Sequence, residues 1–118
     1  AGQVDIALPL AKRALAIYRE AAGDDNLFTA VAWELLGKAH AARGQHTDAR
    51  SAFSAGLQIR EAQLADDHPD LALSRADVGS ELCATGAIAA GAVMLRRALA
   101  VTRPPTSAAE GLLRCKHR

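Results

Sequence analysis

Two groups of side chains in this sequence are of types that could carry out chemistry. Cys83 and His40 could act as a nucleophile and its base, because an imidazole can take the proton of a nearby thiol. Asp66, Asp67 and His68 offer two carboxylates and an imidazole, which are common metal ligands. However, no third residue is placed to orient a base, and cysteine is among the residue types most often buried. We therefore expect no catalytic residues, no metal site and no cofactor.

The acidic group also has a structural explanation. A similar segment, Asp24-Asp25-Asn26, lies earlier in the chain, in the same kind of turn but without the histidine. Pro69 follows Asp66-Asp67-His68 directly, and proline at the first position of a helix already has a helical backbone angle. We expect each segment to form a loop and to cap the helix that follows it.

The spacing between these two acidic segments recurs along most of the chain. Gly2-Gln3 returns as Gly44-Gln45 and, more loosely, as Gly86-Ala87. The period is about 42 residues, within the range of roughly 20–50 residues that is typical of stacked supersecondary units, and such arrays usually work as binding surfaces. Further matches at this spacing are Ala7 with Ala49, Leu15 with Leu57 and Leu99, Ile17 with Ile59 and Val101, Ala30 with Ala72, and Gly37 with Gly79.

The composition narrows the class of protein. The 118 residues suit one small domain, and half of them are apolar while only 3% are aromatic. A net charge of +1 offers no electrostatic surface for nucleic acid or for an anionic membrane. No apolar run reaches the roughly 18 residues that a membrane-spanning helix needs. We expect a cytoplasmic protein in which Cys83 and Cys115 are reduced thiols.

Hydrophobic spacing and turn residues predict an all-α fold, an antiparallel array of helix hairpins. The array covers residues 1–102, with units near 2–43, 44–85 and 86–102. Residues 103–118 leave the period and form a tail with a possible short helix over 108–115. The five predicted helices of the array are Val4–Ala22, Leu27–Arg43, Thr47–Leu64, Pro69–Thr85 and Ala87–Thr102.

The strongest unit resembles a known repeat. Its first helix carries Trp33, Gly37 and His40, and its second carries Ala49 and Phe53, at the spacings of the tetratricopeptide pattern W-x₂-L-G-x₂-Y…A-x₃-F. Only the tyrosine is replaced, by His40. The length of the period and the acidic loop look like the longer variety found in kinesin light chains and many bacterial regulators. The resemblance implies an α-solenoid in which Gly37 lets Phe53 come close.

The resemblance also implies a binding surface. Tetratricopeptide units usually bind a peptide or a partner domain on the concave face that the first helices line. On this register the candidate binding residues are Glu34, Leu35, Lys38, Asp77 and Ser80. An alternative is that Glu34 and Lys38, four residues apart, form an ordinary surface ion pair. No carboxylate-gripping set of lysine, asparagine and arginine is present at these positions.

Two other functions remain open from the sequence. The first predicted helix has no preceding partner, so its Leu8, Leu15 and Ile17 must be covered by another copy or by more of a parent protein. This predicts self-association. Alternatively, the array is a sensor or coupling segment of a larger bacterial regulator whose chemistry lies elsewhere. The abundance of arginine and alanine is compatible with a bacterial source of high GC content.

Overall fold

The computed structural model describes residues 2–101, 111, 112 and 115. Within them the chain forms α-helices and no strand, which confirms the predicted all-α fold. Each helix begins and ends within two residues of its predicted bounds. The predicted end of α5, Thr102, lies outside the described residues. The helices are α1 (Gly2–Ala22), α2 (Leu27–Ala42), α3 (His46–Gln63), α4 (Pro69–Ala84) and α5 (Ile88–Val101).

The helix ends follow from local chemistry that the sequence displays. Gly23 and Gly44 have positive φ angles of 94° and 74°, which a residue with a side chain rarely adopts, so the chain turns there. The side-chain oxygen of Asn26 accepts a hydrogen bond of 2.8 Å from the backbone N–H of Phe28 at the start of α2. His68 caps α4 in the same way, accepting a 3.0 Å bond from Asp70. The predicted cap function of both acidic loops is confirmed.

Each helix packs mainly against the next one along the chain, as the short loops require. The pairs α2–α3 and α4–α5 are complete hairpins, and α1 stands before them as a single helix. Apolar clusters fill the spaces between successive helices, one around Leu15 and Leu36, one around Phe53 and Leu71, and one around Leu95. The result is the solenoid that the period predicts, with no single central core.

Glycine sets the distance between the two helices of each hairpin. A methyl group placed on Gly37 would lie 2.6 Å from the ring of Phe53, and one on Gly79 would lie 3.0 Å from Leu95. The first of these distances is well inside van der Waals contact. Gly37 and Gly79 are one period apart, as are Phe53 and Leu95, so the array repeats this close approach. The predicted packing function of Gly37 is therefore confirmed.

The second unit differs at the position that Trp33 occupies in the first. Arg75 stands there, and its side chain is buried although it carries a charge. Its guanidinium donates a 2.6 Å hydrogen bond to the carboxylate of Asp66 and a second bond to the Asp66 backbone oxygen. The bond from Arg75 lowers the pKa of the Asp66 carboxyl. Arg75 thus binds the α3–α4 loop through Asp66, at the position where the first unit has the aromatic side chain of Trp33.

The prediction of two reduced thiols is wrong, because the structure joins Cys83 and Cys115 in a disulfide. Their Cα atoms lie 5.6 Å apart, a usual separation for a disulfide. Both cysteines belong to the apolar cluster around Leu95, where the C-terminal segment returns onto α4 and α5. Spacing along the chain cannot reveal such a return. Disulfides are rare in the cytosol, so the cysteines no longer support a cytoplasmic location.

A substitution at Gly37 tests the close approach of α2 and α3. Gly37→Ala should lower the free energy of unfolding by about 1–3 kcal/mol because the new methyl group overlaps Phe53. An unhindered glycine-to-alanine change would instead stabilise the protein. Phe53→Leu should rescue part of the loss in a double-mutant cycle measured by urea denaturation. If Gly37→Ala stabilises the protein, the two helices are not in tight contact.

A second substitution tests the disulfide. Cys115→Ser should lower the free energy of unfolding by about 3–4 kcal/mol, the entropy of closing a loop between residues 32 apart. A reductant should weaken the wild-type protein to a similar level and leave Cys115→Ser unchanged. A wild-type urea midpoint that does not respond to reductant would show that the bond does not form.

Candidate functional site

The centre of the candidate site is a buried ion pair within the first hairpin, whose arginine also reaches the second hairpin. Arg60 of α3 is buried, and its guanidinium lies 3.2 Å from the carboxylate of Glu34 on α2. The same nitrogen donates a 2.6 Å hydrogen bond to the hydroxyl of Ser74 on α4. Arg60 lies on a second helix, α3, and therefore links α2 and α4, the first helices of the two units. Its partners offset much of the cost of removing its charge from water.

Glu34 also has a second, weaker cationic neighbour. The Lys38 ammonium lies 3.7 Å from the other Glu34 carboxylate oxygen, and the Lys38 side chain is exposed. The pair has the spacing of four residues expected for an ordinary surface pair on a helix. However, Glu34 is half-buried and already bound to Arg60, so it belongs to a larger cluster.

Asp77 of α4 is the unusual member of this cluster. It is half-buried, and no described residue donates a hydrogen bond to its carboxylate. Burial raises the pKa of Asp77 from 3.8 to about 7, and the negative charge of Glu34 adds to the effect. Lys38 and Arg60 act in the opposite direction but do not overcome it. Near neutral pH this carboxyl is therefore divided between its two protonation states.

The five predicted binding residues fall into different surroundings. Glu34, Lys38 and Asp77 are brought close enough to influence one another electrostatically. Leu35 is exposed and lies on the side of α2 toward α1, where it lines a groove with Lys38. Ser80 lies against the C-terminal segment, since a methyl group on Gly111 would be 2.7 Å from its hydroxyl. The binding function of all five stays a prediction.

Two polar partners of the site could not be predicted from the sequence. Arg60 lies on a second helix, and its match one period earlier is the uncharged Tyr18, so neither the register nor the period indicated it. His46 is half-buried, and its ring nitrogen lies 2.7 Å from the carboxylate of Glu81 on α4. A histidine at a helix start and a buried glutamate on the next helix have no recognisable spacing in the sequence.

Cys83 and His40, which could have formed a nucleophile and its base, each have another partner. The Cys83 sulfur is bonded to Cys115, and His40 is hydrogen-bonded through its ring to the side chain of Gln45 at 2.8 Å. Within the described part of the chain, no three side chains of the metal-binding types come together. No helix there is both long and apolar enough to cross a membrane.

Helix α1 carries several exposed apolar side chains. Ile6, Leu10 and Ile17 on one side of this helix are 61%, 60% and 54% exposed. The opposite side packs against α2 through Ala11 and Leu15, which are buried. Of the three residues predicted to need cover from another copy or a parent protein, Ile17 is exposed as expected. The prediction is wrong for Leu15, which α2 buries, and for Leu8, which packs on the same cluster.

Comparison with known proteins agrees with this geometry. The sequence model of the tetratricopeptide repeat matches the chain twice, over residues 1–62 and 28–103. Two solved structures of a protein from Podosopora anserina, one of them a single-substitution variant, superpose with a TM-score of 0.86 at 20% sequence identity. They are described as kinesin light chain nearly identical TPR-like repeats. The chain belongs to the tetratricopeptide repeat family, and its fold is that of a tetratricopeptide solenoid.

The extent of these matches bears on function. The superpositions cover 97% of this chain but only 57% and 58% of the two solved chains. The chain therefore spans little more than half the length of the structures it matches. A search among curated proteins found no match. Tetratricopeptide repeats generally mediate protein–protein interaction and typically act as non-enzymatic scaffolds.

The raised pKa of Asp77 leads to a prediction about stability and pH. Between pH 3.8 and about 7 the folded protein binds a proton at Asp77 that the unfolded chain does not. The stabilising contribution of Asp77 is therefore greatest at low pH and is lost as the pH rises toward 7. Asp77→Asn stays neutral, so its stability relative to wild type should rise by about 1–3 kcal/mol between pH 5 and pH 8.

Urea denaturation at both pH values measures this difference. Asp67→Asn, at an exposed loop position, is the matched control and should show a constant difference from wild type. If Asp77→Asn gains no stability relative to wild type toward pH 8, Asp77 is ionised as easily as an exposed carboxyl.

Proposed function

We propose that this protein is a protein-interaction scaffold that binds a peptide or a partner domain on the face lined by α2 and α4. The observation that carries the proposal is the half-buried carboxyl of Asp77, which has no described donor and lies near Glu34 and Lys38. Partial burial removes some of the water that would stabilise the ionised carboxylate, and no donor on the described residues replaces it. A ligand that donates hydrogen bonds or brings a positive charge would supply that partner.

Each of the three polar residues would contribute differently to ligand binding. Asp77 accepts hydrogen bonds from the ligand, and exposed Lys38 reaches a backbone carbonyl or a carboxylate of the ligand. Glu34 is held by Arg60 and keeps the local charge in place. Leu35 and Ser80 would provide contacts at the two sides of this surface. We propose no catalytic function, cofactor or metal for the scaffold, and a cytoplasmic, bacterial setting stays a prediction.

The exposed side of α1 favours a second candidate function, attachment of the array to further polypeptide. Ile6, Leu10 and Ile17 are exposed on one side of α1, and exposed apolar side chains grouped on one face are a usual mark of an interaction surface. Self-association through α1 is one form of such attachment. Use of the array as a coupling segment of a larger regulator is another.

Binding to an arrayed library of peptides of about 12 residues tests the primary proposal. Glu34→Ala, Lys38→Ala and Asp77→Ala should each weaken the best peptides about fivefold or more, corresponding to roughly 1 kcal/mol per contact. Glu61→Ala, on the exposed part of α3, is the matched control and should bind like wild type. Circular dichroism checks that each variant is folded. Unchanged binding in all three variants would show that ligands bind elsewhere.

A further inference from the structure

A groove of about 550 Å³ runs between α1 and α2 on the side away from α3. Its described lining is apolar except for Lys38. The Lys38 ammonium lies at one edge and is only loosely paired with Glu34. The residues that line this α1–α2 groove are Ala7, Leu10, Ala11 and Ala14 of α1 and Leu35, Lys38, Ala39 and Ala42 of α2.

The α1 wall of the groove has a counterpart in α3. One period later, the four α1 residues become Ala49, Ala52, Phe53 and Gly56. All four are buried in α3. The helix that covers them is α2, because Phe53 contacts Gly37 and a methyl group on Gly56 would lie 3.1 Å from the backbone oxygen of Ala30.

The α2 wall has a counterpart in α4. One period later, its residues become Asp77, Ser80, Glu81 and Ala84. Two of these face the first hairpin: Asp77 lies in the electric field of Glu34 and Lys38 on α2, and Glu81 is bound to His46 at the start of α3. The α1–α2 groove therefore corresponds, one period earlier, to the surface of α3 and α4 against which α2 lies.

We infer that the α1–α2 groove binds an amphipathic α-helix, antiparallel to α1 in the way that α2 is antiparallel to α3. This inference rests on the proposed attachment function of α1 and names the kind of partner. Such a helix buries Leu10 and the alanines beside it with its apolar side, as in other helix-in-groove complexes. A carboxylate at its edge pairs with Lys38. Glu34 can release Lys38 to this partner because Arg60 remains bound to it.

A second copy of this chain is a poorer occupant. The helices that cover second helices here are α2 and α4, and their covering faces are already buried within their own hairpins. Ala30 is fully buried, Ala72 and Ala76 are 1% exposed, and both glycines of the close approach are buried. Among the described helices, a second copy could offer only its own α1. The partner is therefore a helix that is not already paired.

The size of the partner's side chains follows from one difference between the walls. Ala11 occupies the position that Phe53 has in α3. The ring of Phe53 leaves space only for a glycine, Gly37, on the helix that covers it. The smaller Ala11 leaves space for a larger side chain on the helix that would cover α1. The partner helix therefore carries a residue larger than glycine at that point, since a gap there would forfeit packing contacts.

Labelled peptides with the α2 sequence, residues 27–42, provide the probe. Gly37→Ala and Gly37→Leu versions are compared, because both have a higher helix propensity than glycine, alanine the highest, but only leucine fills the space beside Ala11. Fluorescence anisotropy with the full chain should show the leucine peptide binding at least fivefold more tightly than the alanine peptide. The protein variant Ala14→Glu should weaken binding at least tenfold. The matched variant Ala16→Glu, at an exposed position outside the groove, should bind like wild type.

Three results would overturn the inference. One is the absence of binding by either peptide at millimolar protein concentration. Another is binding that Ala14→Glu leaves unchanged, which would place the peptide elsewhere. The third is a dimer in sedimentation velocity that Ala14→Glu dissociates, which would make a second copy the occupant. Asp77→Ala should leave this helix binding intact while weakening the library peptides, so failure of the groove and failure of the α2–α4 surface can be told apart.

Discussion

The array depends on how closely the two helices of each hairpin can approach. Gly37 faces Phe53 and Gly79 faces Leu95, and a methyl group on Gly37 would enter the aromatic ring at 2.6 Å. Protein interiors are packed almost as densely as organic crystals, so the helices cannot separate here without opening the apolar clusters on either side. The same kind of contact recurs one period later, so α4 and α5 approach each other as α2 and α3 do. Helices α2 and α4 carry the polar residues of the candidate site.

The electrostatics of the site depend on which charged groups meet across the helices. Arg60 is buried behind the two first helices, and Glu34 and Ser74 lie within hydrogen-bonding distance of its guanidinium. Asp77 shares the same space without a described donor, and its pKa is raised to about 7. The cluster thus combines a satisfied ion pair with a carboxyl that lacks a described partner. Such an arrangement offers little stability to the isolated array, and this supports a function in binding.

The two ends of the described array are covered differently. At one end, Gly111, Leu112 and Cys115 lie on α4 and α5, and the disulfide to Cys83 holds them there. At the other end, α1 presents Leu10 and its neighbours on the side that a first helix would cover in a complete unit. The repeat makes this contrast informative, because each position of α1 can be compared with a position of α3 whose surroundings are known.

The sequence by itself determined the family, the five helices and the glycine contact, because period, helix caps and small residues are local signals that need no knowledge of distant contacts. Asn26 and His68 cap helices as expected, and Gly37 meets Phe53. Only the tertiary structure decided which polar groups meet across helices. Arg60 and Ser74, His46 and Glu81, and Cys83 and Cys115 are each joined through space without a characteristic spacing in the chain. Such contacts depend on side-chain length and on the angle at which two helices cross. The repeat period predicts neither of these.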